Sequence, residues 1–188
     1  TDNHQQRPDQ PFFIYLTYNA PHARLQVPTG SYPAGGGLTG GLQWTGNPQT
    51  MINSATGTVD SFIHPDYANT GWPAYAQRHA TMIRRLDDSV ADLVKLLKDL
   101  AIDEDTMIVF TSDNGTHNEG GSGGSYTYNP RFFGTFGPFE GIKRDVWEGG
   151  IRVPALVRWP HRVPACGITE SPSQFHDWMP TFAEIAGL

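Results

Sequence analysis

One long amphipathic segment between two short apolar runs constrains this chain more than any other feature. Residues 73–100 carry Leu86, Val90, Leu93, Leu97 and Leu100 at spacings of three and four, which is one face of a helix. Pro73 suits the first turn, where its missing N–H has no partner to lose. The flanking runs, "FFIYLTY" at 12–18 and "TMIVFTS" at 106–112, are rich in β-branched and aromatic residues and too short for helices. Both are expected as buried strands. Strand, helix and strand in that order predict an α/β fold.

A third strand is expected in "IRVPALVRW", beginning after Pro154 or lying at an edge, because proline cannot donate to a central ladder. Near the C-terminus Asp177 is the expected N-cap of a short helix over Thr181–Ala186, ended by Gly187. Two long loops separate these elements. Residues 23–72 are rich in Gly, Pro, Ser, Thr and Asn without period, and irregular segments of that length are usually functional. Residues 115–150 are glycine-rich, with Phe132, Phe133, Phe136 and Phe139 expected in the core.

With 38% apolar and 17% charged residues in 188, the chain can build a core. A net charge of −6 without a basic stripe excludes a nucleic-acid partner. No apolar run is long enough to span a bilayer, so no membrane partner is expected. Cys166 is the single cysteine, which excludes an internal disulfide framework. The start, "TDNHQQRPDQ", shows no signal-peptide pattern and no initiator Met, as in a chain processed or cut from something longer.

Ligands of parallel α/β sheets bind beyond the carboxyl ends of the strands. Three features fall at such ends: His22 in "YNAPH", Asp113 and Asn114 in "TSDNG", and Lys143 in "GIKRDVWEGG". Asp113 and Asn114 offer hard oxygen donors suited to Ca²⁺ or Mg²⁺. With Lys143 and His22 beside them, such a site would suit a tetrahedral oxyanion such as sulfate or phosphate. By itself "SDNG" is equally good turn chemistry, since Asp and Asn bond their own backbone.

Taken in order, "APH", "FTSDNG", "GIKRDVWEGGIRVPALVRWP" and "DWMPTFAEIAG" resemble the sulfatase family of the alkaline phosphatase superfamily, especially its arylsulfatase-like bacterial members. The resemblance covers residues 12–22 and 74–188 and leaves 23–72 unmatched. It implies part of an alkaline-phosphatase-like sandwich: a mixed, mostly parallel sheet with flanking helices and long loops. It also implies that Asp113 and Asn114 are two of four protein ligands of a Ca²⁺ ion (Mg²⁺ as the alternative). Lys143 would bond the sulfate and the leaving oxygen, and His22 would contact sulfate and help protonate the leaving group. His117 and Glu119 stand either as contacts to the organic part of the substrate or as a solvated loop. Glu148 and Arg152 are expected to orient their turn. His4, His64, His79, His161 and His176 are expected to be structural or solvated. The family's usual export implies a periplasmic or secreted location.

The family's nucleophile is a formylglycine made in a Cys/Ser-x-Pro/Ala-x-Arg motif. Neither "CGITE" around Cys166 nor "SYPAG" at 31–35 supplies it. The Asp-Asp pair that completes the metal shell is absent, and the sequence stops where a C-terminal antiparallel subdomain would begin. On this reading residues 1–188 are one partial catalytic domain of a sulfatase acting on aryl or carbohydrate sulfate esters, inactive alone. A missing N-terminal half would leave an apolar sheet edge, so self-association or a covering partner is expected. The alternatives are a non-catalytic sulfatase-like binding or assembly module, and a phosphate or phosphonate monoester hydrolase. Asn114, where those hydrolases carry histidine, speaks against the last.

Overall fold

The long helix forms as its spacing predicts. In the computed structural model, which describes residues 2–40, 43–44, 51–52, 60–119 and 127–188, it spans Ala74–Asp99 with Pro73 as N-cap and Leu100 as C-cap. It is α3 in chain order, after α1 (Asp2–Gln6), the two-residue strands β1 (Gln43–Trp44) and β2 (Met51–Ile52), and α2 (Pro65–Ala68). Its leucine stripe is only half-buried. The buried positions lie in its first half: Ala76, Arg78, His79, Thr81 and Met82.

That first half meets the core. Leu25, Val27, Met82 and Tyr128 are buried together, with Ala20, Ile63 and Tyr75 packed against them. Full burial of a side chain such as Leu25 contributes about 1.5–3 kcal/mol. Three of these residues, Leu25, Val27 and Ile63, come from the 23–72 segment, so part of that insertion is built into the core. Buried polar bonds hold it there. Arg78 donates from Nε to the Leu25 carbonyl at 2.7 Å, and its Nη2 pairs with Asp60, whose carboxylate also accepts from Val27 N at 2.7 Å. Further along, Tyr32 donates to Asp92 at 2.7 Å and Leu38 N to Asp99 at 3.1 Å, which lays residues 32–38 along the outer face of α3. Burial, then the Asp92 hydrogen bond, pushes the Tyr32 phenol up to about 12.

The sheet departs from expectation. Strand β3 (Ile108–Thr111) pairs with β4 (Ala155–Arg158) in antiparallel register, Val109 opposite Val157 and Phe110 opposite Leu156. The pair β1–β2 is also antiparallel, so the described residues contain no parallel pairing. β4 begins directly after Pro154, as expected. The run 12–18 forms no strand. Phe13 is 72% exposed and Tyr15 81%. A strand exists only through ladder bonds to a neighbour, and among the described residues none lies beside this run. Its contacts include Phe12 edge-on to His4 at 6.4 Å, Phe13 edge-on to Phe182 at 5.6 Å and Tyr18 Oη bonded to Ser89 Oγ at 2.8 Å.

The C-terminal helix α5 (Trp178–Ile185) begins three residues earlier than expected, with Pro180 tolerated in its first turn. Asp177 is its N-cap residue, as expected, but makes no side-chain capping hydrogen bond to it. Its carboxylate accepts from Gln174 N at 2.7 Å and closes a 3₁₀ turn over Phe175–Asp177 that leads into the helix. The phenylalanines of 132–139 also differ from expectation. Phe132 and Phe133 are each 38% exposed and pack edge-on around Trp72 rather than in the core.

Candidate functional site

Three loops meet beyond the end of β3. The first is the turn after residue 18, closed by His22 N donating to the Asn19 carbonyl at 2.8 Å. The second runs from Ser112 to Glu119. Ser112 Oγ donates to the Asn114 carbonyl at 3.2 Å, and Asn114 Nδ2 to the Gly115 carbonyl at 2.8 Å. This is the turn chemistry that the side chains favour. The third runs from Glu140 to Arg152 and ends in the single turn α4 (Glu148–Ile151).

Glycine is required where the second and third loops touch. Gly115 N donates to the Gly150 carbonyl at 2.9 Å, and a Cβ on Gly115 would overlap the Gly149 carbonyl oxygen. Lys143 N donates to the Thr116 carbonyl at 2.6 Å, which fixes the lysine backbone against the "SDNG" turn. Arg152 pairs with Glu148, and its guanidinium lies 4.7 Å over the Phe139 ring, so both residues orient the third loop as expected.

This packing brings His22, Lys143, His117 and Glu119 together. Lys143 Nζ lies 3.1 Å from His22 Nε2, across 121 positions of sequence. An ammonium only donates, so His22 Nε2 is the acceptor. Its Nδ1 faces the Ala23 carbonyl, which only accepts. The imidazole is therefore the neutral Nδ1–H tautomer. Glu119 stands 3.6 Å from His22 Nε2 and 3.8 Å from Lys143 Nζ, and its Oε1 makes a close ion pair with Arg144. Burial works to raise the Glu119 carboxyl. The Arg144 guanidinium, Lys143 and His117 outweigh it and hold the group below its ordinary value.

His117 is buried, not solvated. Its Nε2 donates to the Pro21 carbonyl at 3.4 Å, and its ring stacks on His22 at 5.9 Å and tilts against Tyr128 at 5.0 Å. Its Nδ1 is buried and has no hydrogen-bond partner among the described residues. Burial lowers its pKa, partly offset by the Pro21 bond and Glu119. Behind it His79 stacks on Tyr128 at 4.1 Å, and burial together with the charge of His117 pushes His79 down to about 4. Of the other histidines, His64 accepts from Asp66 N to cap α2, and His161 pairs with Glu104 and Asp105 on the surface.

Asp113 and Asn114 share the turn but join no cluster. Asp113 is exposed and makes no side-chain hydrogen bond or ion pair among the described residues. No group of three or more His, Cys, Asp and Glu is arranged there to hold a metal. As donors the two fit a hard divalent cation in kind, with a carboxylate and the Oδ1 that Asn114 leaves unused. In number they fall short of the six to eight oxygens that Ca²⁺ takes.

Sequence reasoning missed Arg144 and Tyr128. Arg144 follows Lys143 directly and carried no signal beyond a surface charge. Its backbone adopts φ +83°, which turns the guanidinium onto Glu119. Tyr128 lies in a glycine-rich stretch whose pattern gives no sign that it is buried.

A family model described as Sulfatase matches residues 1–188. Steryl-sulfatase of Mus musculus is 35% identical over 133 residues, 68% of this chain and 20% of the relative. N-acetylgalactosamine-6-sulfatase of Canis lupus familiaris is 34% identical over 132 residues, 69% of this chain and 24% of the relative. Human steryl-sulfatase is 38% identical over 105 residues, 56% of this chain and 17% of the relative. The matched part thus spans about a quarter or less of the curated relatives' length.

Proposed function

The chain belongs to the sulfatase family, and from that premise we propose that it supplies the sulfate-binding half of a site that hydrolyses sulfate monoesters. The observation that carries this reading is the hydrogen bond between Lys143 and His22, made by two loops that meet only in the folded chain. Lys143 Nζ would donate to the sulfate and to the leaving oxygen, where negative charge grows as the ester bond breaks. The proton between Nζ and His22 Nε2 lies at the pair from which that oxygen would be protonated. His117 and Glu119 would border the alcohol part of the substrate.

Asp113 and Asn114 would be two ligands of a Ca²⁺ ion, with Mg²⁺ as the alternative. When bound, the ion would neutralise charge on the sulfate oxygens. The remaining ligands and the nucleophile would come from outside these residues. The larger alkaline-phosphatase-like sandwich, with β3 in a mixed, mostly parallel sheet, belongs to the same proposal. The exposed run 12–18 supports it, as an apolar segment without a strand partner among the described residues. Of the aryl or carbohydrate sulfates proposed as substrate, the name of one relative, N-acetylgalactosamine-6-sulfatase, fits the carbohydrate; the other, steryl-sulfatase, adds a sterol sulfate.

The test combines binding and turnover. In titration calorimetry Lys143→Ala should weaken binding of inorganic sulfate at least about tenfold, as loss of a charged hydrogen bond does. The chain joined to a formylglycine-bearing upstream half should cleave a chromogenic aryl sulfate. Unchanged sulfate binding in Lys143→Ala, together with no cleavage of any sulfate ester by the joined form, would sink the reading.

A further inference from the structure

Among the described residues Glu119 is the carboxylate that the Lys143 ammonium, at 3.8 Å, and the Arg144 guanidinium, in a close ion pair, share. Carboxylate and sulfate present the same recognition chemistry, a pair of anionic oxygens that a guanidinium or ammonium can hold. We infer that without substrate Glu119 occupies the seat of the sulfate group as an internal stand-in, moving aside to border the alcohol part when sulfate binds, and that Arg144 is a further sulfate-binding residue of that seat. The inference rests on the proposed role of Lys143 and His22 and adds to it both a second cationic donor and a built-in competitor.

Two observations favour this over a plain surface ion pair. Arg144 holds φ +83°, a conformation that residues with a side chain adopt uncommonly and that tends to persist at functional sites. Its side chain is 70% exposed, so solvent screens its pairing with the 17% exposed Glu119 and limits what the pair adds to fold stability. The surrounding loop is firmly built. Ile142 N donates to Asp145 Oδ2 at 2.9 Å and Lys143 N to Thr116 O at 2.6 Å, which holds the 143–144 pair against the turn that precedes Glu119. The backbone that carries both donors is thus anchored, and for sulfate to reach them the Glu119 side chain, 17% exposed, would have to give up its place.

Sulfate binding then sets two demands on Glu119: its charge must leave the seat, and the donors must stay. Inorganic sulfate titrated into the 188-residue chain at one ionic strength and neutral pH separates them. Glu119→Gln should bind sulfate about tenfold tighter than the unmodified chain, and Arg144→Ala added to it should remove most of that gain. Glu119→Ala carries the same expectation and serves if the glutamine variant fails to fold by circular dichroism. If Glu119→Gln and Glu119→Ala bind sulfate no tighter, or Arg144→Ala has no effect in their background, the inference is overturned while Lys143→Ala still reports on the proposed function. If Lys143→Ala changes nothing in any background, or no variant binds sulfate, both fail.

Discussion

Leu25 stands between Arg24 and Gln26 and Leu156 within the apolar run "ALV", yet Leu25 is fully buried and Leu156 is 65% exposed. The difference follows the regions they belong to. Leu25 lies where the insertion crosses α3, and Arg78, Asp60 and the Leu25 and Val27 backbone satisfy one another at that crossing. Leu156 lies on β4, whose one described neighbour is β3. A helix completes its own backbone hydrogen bonds, so a few side chains from a loop suffice to cover it. A sheet needs strands on its edges and a layer on each face. The region with the lower apolar content is therefore the better packed, and the candidate site leans on it through Tyr128, His79 and His117.

Three experiments break or sharpen this contrast. The largest effect is expected from Arg78→Ala, which takes the cation from the largely buried Asp60 carboxylate, leaving it the Val27 N–H, and removes the Arg78 donor from the Leu25 carbonyl. Removing one partner of a buried pair costs about 3–5 kcal/mol, read as a lower urea midpoint. A loss under about 1 kcal/mol would show that the crossing is not what holds the insertion.

The second concerns His79. Its pKa falls from 6.5 to about 4 on folding, so between those values the unfolded chain binds more protons than the folded one. Its contribution is complete above pH 6.5 and is lost as pH falls towards 4, a change of about 3 kcal/mol. Unfolding free energies measured from pH 7 to pH 4 should decline, and His79→Gln should flatten that decline. An equal slope in the variant would place the pH sensitivity elsewhere.

The smallest effect is expected from Leu156→Ser. Monomer stability should change by no more than about 0.5 kcal/mol, as for an exposed side chain. Sedimentation should show weaker concentration-dependent association than the parent chain if the open sheet drives self-association. A destabilisation above about 2 kcal/mol would mean that β4 is covered within the monomer.

Much of the candidate site was legible because its signals are local. "FTSDNG" and "GIKRDVWEGGIRVP" each carry their turn chemistry, glycines and donors within a few residues. α3 and β4 were legible for the same reason, as period and proline placement are local properties. Arg144 and Tyr128 were not. The importance of Arg144 comes from a left-handed backbone and from Glu119, 25 positions earlier. That of Tyr128 comes from the His79 and His117 rings that sandwich it. The run 12–18 misled in the opposite direction, because composition states a preference for strand and says nothing of whether a neighbouring strand is present.

By itself, then, the sequence determined the helix, the strand ends, the turns that carry Asp113, Asn114 and Lys143, and the family to which they point. The tertiary structure decided the antiparallel pairing of β3 with β4, the burial of part of the insertion, and the meeting of His22, Lys143, Arg144 and Glu119. The physical reason is range. Helix period, turn chemistry and glycine requirement act over a few residues. Strand partners and converging charges are set by which distant segments share space, and that depends on the packing of the whole chain.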